Sequence, residues 1–414
     1  MKVLVAGSGG REHAIAWALS RSGRNEVHSA PGNPGMAGLG PCHPVSPMDG
    51  AALARLCRDI GIGLVVIGPE APLEAGVAAA LRAEGMACFG PDASGARIES
   101  SKWFAKDVMK AAGVPTADAR HFDSASSALS WMGDRVSDWV IKADGLAAGK
   151  GVFLPETLEE ASLALDSILS SPAGAHGLLV ERRLEGREAS VMAVCCGKSA
   201  FVLPPSRDHK RAFDGDEGPN TGGMGAVCPP PGLAPDFDSR VLHEVFLPVL
   251  DELAARGIDY RGVLYAGLMV SGDDFSVLEF NCRFGDPETQ SVLPLLEGDL
   301  AGGLHLAASG SGVPGDLRRA EGASACVVVA SGGYPGPFPK GHAIEGLEEA
   351  GREALVFHAG TASRNGRIVT DGGRVVSLTG TGRNLEEALE RAYRAASLVR
   401  FEGAFYRRDI GRTT

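Results

Sequence analysis

The chain has 414 residues, 44% hydrophobic and 22% charged, with 57 glycines and a formal net charge of −11. That length allows about two to four domain cores. The acidic balance, with no basic block, argues against a nucleic-acid surface but leaves phosphate ligands open, because a local nest of N–H groups with one or two cations suffices.

Residues 1–100 read as strand–loop–helix units. Val3–Ala6, Leu64–Ile67 and the stretch ending Cys88–Phe89 are all apolar, as strands covered on both faces are. They predict a doubly wound parallel sheet with ligands at its carboxyl ends. The Gly7–Gly10 turn invites a dinucleotide fold, but Glu12 stands where the third glycine belongs. The strand near Glu26–Ala30 is followed by Pro-Gly-Asn, with no acid for a ribose. Gly9, Gly10, Arg11, Asn33 and Glu70 are instead candidates to hold a small phosphorylated sugar. Glycines that only shape turns are an equal reading.

Ser101–Ala112 is an amphipathic helix stopped by Gly113 and Pro115. Lys102 lies in its first turn, where a cation opposes the helix dipole unless it meets an anion. Residues 118–188 resemble a smaller α/β module. Trp139–Lys142 is a strand, and the glycine-rich Asp144–Gly151 leads directly into Val152–Leu154. A loop between two strands is no P-loop. It suits a lid that folds Lys150 over phosphate oxygens. Thr157–Glu160 is a capping box opening a helix to about Leu169. Leu178–Leu184 is a strand and hinge whose backbone suits an adenine, and Glu188 beyond it suits ribose hydroxyls.

Arg207–Gly225 is long, charged and glycine-rich, and reads as a substrate clamp. His209 within it is a structural or anion-binding group ahead of a base. Residues 237–255 predict a helix kinked at Pro248. Gly262–Val270 and Phe275–Cys282 predict a hairpin across Ser271–Asp274. Glu279 and Asn281 are two apart on that second strand, so they share a face. Their hard oxygens suit Mg²⁺, although salt bridges with Arg283 and Asp286 are the competing reading. Farther on, Ala323–Ala330 is a strand, and Arg367–Thr379 a hairpin turning at Asp371–Gly373. Asn384–Glu387 caps a last amphipathic helix.

The eight cysteines (42, 57, 88, 195, 196, 228, 282, 326) show no CxxC or Cys/His metal spacing and fit free thiols in a reducing cytosol. No apolar run reaches the roughly 18 residues of a membrane helix, and the N-terminus carries no signal pattern. A cytoplasmic protein without membrane or nucleic-acid partners is expected, with a monomer as the working assumption.

Arg283-Phe-Gly-Asp-Pro-Glu-Thr-Gln290 resembles the signature of the phosphoribosylamine–glycine ligases, or glycinamide ribonucleotide synthetases. Gly9–His13, Val140–Val152, Asp208–Asp214, Gly218–Gly225 and Arg407–Gly411 are similar to the same family, in the same order. The resemblance implies a multidomain α/β and α+β protein with an ATP-grasp fold. Its parts would be a Rossmann-like substrate-binding sheet domain at 1–100, an ATP-grasp region at 101–321 with a B-type lid at 118–188, and a C-terminal mixed α/β domain at 322–414. It implies ATP-dependent ligation of glycine to 5-phosphoribosylamine through glycyl phosphate, giving glycinamide ribonucleotide, ADP and phosphate in purine synthesis.

The same resemblance implies Mg²⁺ or Mn²⁺ at Glu279 and Asn281. ATP would be held by Lys102, Lys142, Gly149, Lys150, Gly151, Glu181, Leu184 and Glu188. Asn220 and Gly285 join the substrate contacts. Arg283 would steady carboxylate or phosphoryl oxygens, and Asp208 and Asp286 would face the substrate ammonium or amine. The chain departs from the family at Arg182 and Arg183 in the hinge, at Trp103 and at Arg207. The rival readings are another ATP-grasp carboxylate–amine ligase and a nicotinamide-dependent oxidoreductase.

Overall fold

The computed structural model describes residues 1–146 and 151–412; Gly149 and Lys150 of the expected lid lie outside the described residues. Strands β1 (Lys2–Gly7), β2 (Glu26–Pro31), β3 (Leu64–Ile67) and β4 (Cys88–Phe89) form a parallel sheet in the order β2-β1-β3-β4. Alternate residues of these strands enter different cores. Leu4, Ala6, Val65 and Ile67 pack on one face, where helix α2 (Gly50–Ile60) lies, and Val3, Val5, Leu64 and Val66 on the other, with α1 (Gly10–Ser20). The uninterrupted apolar runs follow from that two-sided burial.

Helix α3 (Lys102–Ala111) begins at Ser101, whose hydroxyl accepts the Phe104 N–H. Strands β5 (Ala119–Phe122), β6 (Trp139–Ala143), β7 (Val152–Phe153) and β8 (Leu178–Arg182) form a second sheet, ordered β5-β8-β6-β7. With helix α4 (Leu158–Leu169) it surrounds a core drawn only from residues 122–180. Strands β9 (Arg187–Cys196), β10 (Ser199–Val202), β15 (Arg261–Ser271) and β16 (Asp274–Asn281) make an antiparallel sheet in the order β10-β9-β15-β16.

The expected clamp segment is built, not irregular. It holds strand β11 (Arg207–Asp208), a hairpin of β12 (Arg211–Phe213) and β13 (Glu217–Asn220), and strand β14 (Gly225–Cys228). β11 and β14 extend a five-stranded sheet with β17 (Ala323–Ala330), β18 (Leu355–His358) and β19 (Arg374–Gly382), ordered β11-β14-β17-β19-β18. Arg407 locks this arrangement from the far end of the chain. Its side chain is fully buried, its Nε and Nη2 each donate to Asp409 at 2.8 Å, and its Nη1 donates to Asp216 Oδ1 and Arg211 O, both at 3.1 Å.

One expectation is corrected. Arg367–Thr370 does not pair across Asp371–Gly373; it pairs with Thr361–Arg364, and the turn is Asn365–Gly366. Both turn residues have positive φ (50° and 73°), the geometry that matches strand twist in a two-residue hairpin. The later glycines serve close approach instead: a Cβ on Gly372 would lie 2.7 Å from the Gly360 Cα. The 237–255 helix is distorted by Pro248 as expected: a π-helical turn spans Leu242–Phe246, the turn that holds Glu244, whose carbonyl the missing Pro248 N–H would pair with in a regular helix.

Candidate active site

A cleft of about 1090 Å³ opens between the small β5–β8 sheet, the β9–β16 sheet, the loops of the first sheet and the C-terminal residues. Its floor is set by an irregularity in β16. The register runs Asn281 with Tyr265, Phe280 with Ala266 and Glu279 with Gly267, then skips to Val277 with Leu268, leaving Leu278 as an extra residue. Before the bulge Phe275 and Val277 face the core; after it Phe280 and Cys282 do. Strict alternation from Phe275 would have driven Glu279 and Asn281 into that core. The inserted residue shifts the phase by one, and both line the cleft. The shared face was legible in the sequence; which face it is was not.

Burial pushes the Glu279 carboxyl up, but Lys210, Lys142, Lys102 and Arg283 hold it below its ordinary value. It is therefore an ionised oxygen donor facing cations. Asn281 Oδ1 accepts from Arg283 Nη2 at 3.3 Å. Among the described residues no group of three or more His, Cys, Asp or Glu has metal-holding geometry. The donor set fits a divalent ion that takes two protein oxygens and completes its shell with phosphate and water.

Above this floor, Asp144 accepts the Trp103 N–H at 3.2 Å and the Ser101 hydroxyl at 3.3 Å, so an acid occupies the positive end of α3. That offsets the unfavourable placing of Lys102, whose Nζ donates to Gly145 O at 3.3 Å at the root of the glycine loop. Lys142 is ion-paired with Glu181, as is Lys106 at 2.7 Å. The Glu181 carboxylate is thus engaged by lysines, which leaves the hinge main chain for a base. The Arg182 and Arg183 N–H groups donate to Asp118 O at 2.9 Å and Asp138 O at 2.8 Å, whereas Leu184 and Gly151 line the cleft. The two unusual hinge arginines point to their own protein: Arg182 lies 5.4 Å over the Trp139 ring, and Arg183 pairs with Glu156 at 2.8 Å.

An acidic wall faces these cations. Asp208, raised to about 8 by burial first, is opposed by Lys210 and raised further by Glu288, Glu188 and Glu279. Lys210 meets Glu188 at 2.5 Å, and its pKa stays above the ordinary value against burial because Glu188, Asp208 and Glu279 surround it. Behind them, buried Glu288 accepts the Tyr265 hydroxyl at 2.8 Å, which lies 2.7 Å from Ser190 Oγ. Lys210, Tyr265 and Glu288 are cleft residues that the sequence reading left out. Glu288 lay inside the quoted 283–290 stretch, the signal that could have found it.

Arg283 is held by Glu99 at 3.0 Å and Glu70 at 3.5 Å, and Arg11 lies 3.9 Å from the same Glu70. Asp286 accepts Gln290 Nε2 at 2.7 Å on one oxygen and faces Arg374 Nη2 at 3.1 Å with the other. Burial pushes its carboxyl up, but Arg374 and Arg11 hold it below its usual value. Arg374 stands 88 residues away in the chain, and nothing local in the sequence announces it. Asn220 lines the cleft.

Gly9, Gly10, Asn33 and Gly285 lie behind the wall rather than on it. Asn33 donates to Ser8 O and His358 O, both at 2.9 Å, and accepts from the Gly35 and Met36 N–H groups at 3.0 Å, which organises its own loop. A Cβ on Gly10 would meet Gln290, and one on Gly285 would meet Glu288. At the start of α1, Glu12 Oε2 accepts the Gly9 N–H at 2.7 Å and Oε1 accepts Arg11 Nε at 2.5 Å. A carboxylate of the chain itself therefore fills the place where a dinucleotide fold seats pyrophosphate. His209 Nε2 accepts the Gly411 N–H at 3.0 Å, and burial, then Arg407, lower its pKa to about 4, so it is a neutral structural acceptor.

The cleft, with paired hard oxygens below, lysines above and Gly145 and Gly151 in its lining, defines an ATP-grasp enzyme, a class that uses ATP and divalent metal ions. Family models described as the phosphoribosylglycinamide synthetase N domain, ATP-grasp (A) domain and C domain match residues 1–99, 100–289 and 324–413. The chain belongs to the phosphoribosylglycinamide synthetase family. It is 48% identical over 421 residues to a phosphoribosylamine–glycine ligase of Nostoc sp., covering 99% of both chains. It is 44% identical to the human trifunctional purine biosynthetic protein adenosine-3, of which it spans 42%. The crystal structure of phosphoribosylamine–glycine ligase from Thermotoga maritima superposes with a TM-score of 0.84 at 36% identity, covering 99% of this chain and all of that one.

Proposed function

We propose that the chain ligates glycine to 5-phosphoribosylamine, coupled to conversion of ATP to ADP and phosphate. The observation that carries this reading is a single cleft walled by residues from all three family domains: Arg11 and Glu70, then Lys142 and Glu279, then Tyr334 and Arg374. In this proposal the glycine carboxylate oxygen attacks the γ-phosphorus, its bond to ADP breaks, and glycyl phosphate forms. The amine nitrogen then attacks the acyl carbon, the C–O pair leaves with phosphate, and the nitrogen gives up a proton. The departing phosphate takes that proton, Asp208 and Asp286 are the proposed groups facing the amine, and Arg283 and Arg374 hold the 283–290 turn that presents the glycine. Lys102, Lys142, Gly149, Lys150 and Gly151 are the proposed contacts to the phosphate oxygens, and Leu184 and Glu188 hold the nucleoside. Glu279 and Asn281 would hold a Mg²⁺ or Mn²⁺ ion, which supplies charge neutralisation at the transferring phosphoryl group.

The division at about residues 100 and 322, with a lid at 118–188, is part of the same proposal; the separate core of residues 122–180 supports the lid. All eight cysteines are free, which suits a reducing compartment. The test is ADP release with ATP, glycine and phosphoribosylamine, each omitted in turn. Release that needs all three supports the reading. Release with another amine in place of phosphoribosylamine would favour a different carboxylate–amine ligase.

A further inference from the structure

Three charged side chains meet between α3 and the β5–β8 sheet. Glu181 is 2% exposed, and its oxygens face different lysines, Oε2 toward Lys106 at 2.7 Å and Oε1 toward Lys142. Besides this ion pair, Lys106 donates to Thr116 Oγ1 at 2.7 Å and to Ala117 O at 3.1 Å. Thr116 passes the link on, donating to Val277 O at 2.6 Å beside the β16 bulge. Lys142 donates to Leu278 O, the bulge residue, at 3.2 Å and lines the cleft. One carboxylate is thus shared by two ammonium groups, leaving one net positive charge on the cleft side.

We propose that Lys106 is a positioning residue for the nucleotide: it neutralises Glu181 at the oxygen that Lys142 does not meet, so that Lys142 keeps a full unit of charge for phosphate oxygens. With Lys106 absent, Glu181 and Lys142 would cancel each other in a medium of low polarity, where a unit charge acts strongly. The balance of fields on Glu181 agrees. Burial pushes its carboxyl up, and Lys142 together with Lys106 holds it below its ordinary value. Lys106 itself is pulled down by burial against Glu181, as a fixed interior counter-ion is. Lys106 lines the cleft beside Glu181, but its ammonium is taken up by Glu181, Thr116 and Ala117, so its effect passes through Glu181 and Lys142. The proposal rests on the ATP-using reading above.

The test compares Lys106→Met with the double variant Lys106→Met/Glu181→Gln, which restores the net charge of the set. Calorimetric titration with ATP alone reads nucleotide affinity without either other substrate, so failure of the ligase assignment and failure of this proposal are distinguishable. Lys106→Met is expected to weaken ATP binding about tenfold or more, with the KM for glycine unchanged, and the double variant to recover most of that loss. A merely structural role would make the double variant worse than the single one. Unchanged ATP affinity in Lys106→Met, or a double variant no tighter than the single, overturns the proposal. Should Lys106→Met not fold, Lys106→Gln, which keeps a polar donor without the charge, carries the test by the same titration, and an ATP affinity equal to the parent's overturns the proposal.

Discussion

Replacing Glu12 with Gln asks whether the helix end in the first domain is closed by the chain's own carboxylate. Arg11 and Glu12 side chains are 9% and 4% exposed, and the carboxylate accepts at 2.7 Å from Gly9 and at 2.5 Å from Arg11. Gln keeps one acceptor, so its amide must face either the Gly9 N–H or the Arg11 guanidinium, donor against donor. Losing one hydrogen bond to a charged group costs about 1.5–3 kcal/mol, and a buried donor left unmet adds about 1 kcal/mol or more, so about 2–4 kcal/mol is expected. A chain of several domains does not unfold as one unit, so the readout should be local. Hydrogen exchange of the α1 amides should accelerate roughly thirtyfold to a thousandfold, following about 1.4 kcal/mol per factor of ten. Exchange equal to that of the parent would refute the capping argument. Glu12→Gly, which completes a G-x-G-x-x-G spacing, is expected to open the helix similarly and to gain no NAD affinity by calorimetry.

Glu279→Ala should lower ligase turnover by orders of magnitude with an unchanged circular-dichroism spectrum; near-parental turnover would contradict the metal-ligand role. Arg374→Met removes the bonds to Asp286 O at 2.9 Å and to Asp286 Oδ2 at 3.1 Å. Both side chains are about a fifth exposed (22% and 20%), so the expected loss is about 2–3 kcal/mol, below the 3–5 kcal/mol of a fully buried pair. kcat should fall more than ATP affinity, and a change confined to ATP affinity would count against this placement. Burial above all lowers His13 to about 3 and His209 and His358 to about 4, from 6.5. The unfolded chain therefore takes up protons that the folded chain refuses, and stability should fall as pH drops from about 6.5 toward 4, by up to about 1.4 kcal/mol per pH unit for each histidine. Urea midpoints at pH 7 and pH 5 measure this; His358→Asn should flatten the dependence, and equal midpoints in the parent would defeat it.

Much of the scaffold was legible because its signals are local. Ser101, Thr157 and Asn384 each cap the helix the sequence placed after them. The apolar runs of β1 and β3 announce a sheet covered on both faces. The Asn365–Gly366 turn was equally local, yet Asp371–Gly373 competes with it by composition, and only the close approach of Gly360 and Gly372 separates the two roles. The site was less legible because its partners are distant. Arg374 with Asp286, Lys106 with Glu181 and Arg407 with the β12–β13 segment are long-range ion pairs between stretches that each look like an ordinary charged surface.

The bulge at Leu278 makes residue count, as well as residue identity, part of the binding chemistry. A deletion of one residue between Phe275 and Glu279 would keep every proposed ligand in the sequence, and could even improve the regularity of β16. With one residue fewer the strand alternates regularly, and Glu279 and Asn281 keep to the cleft face; one residue more would turn them toward the apolar core. The strand should therefore tolerate the loss of one residue near Leu278 better than the gain of one, an asymmetry that a library of single deletions and insertions across residues 275–281 would expose.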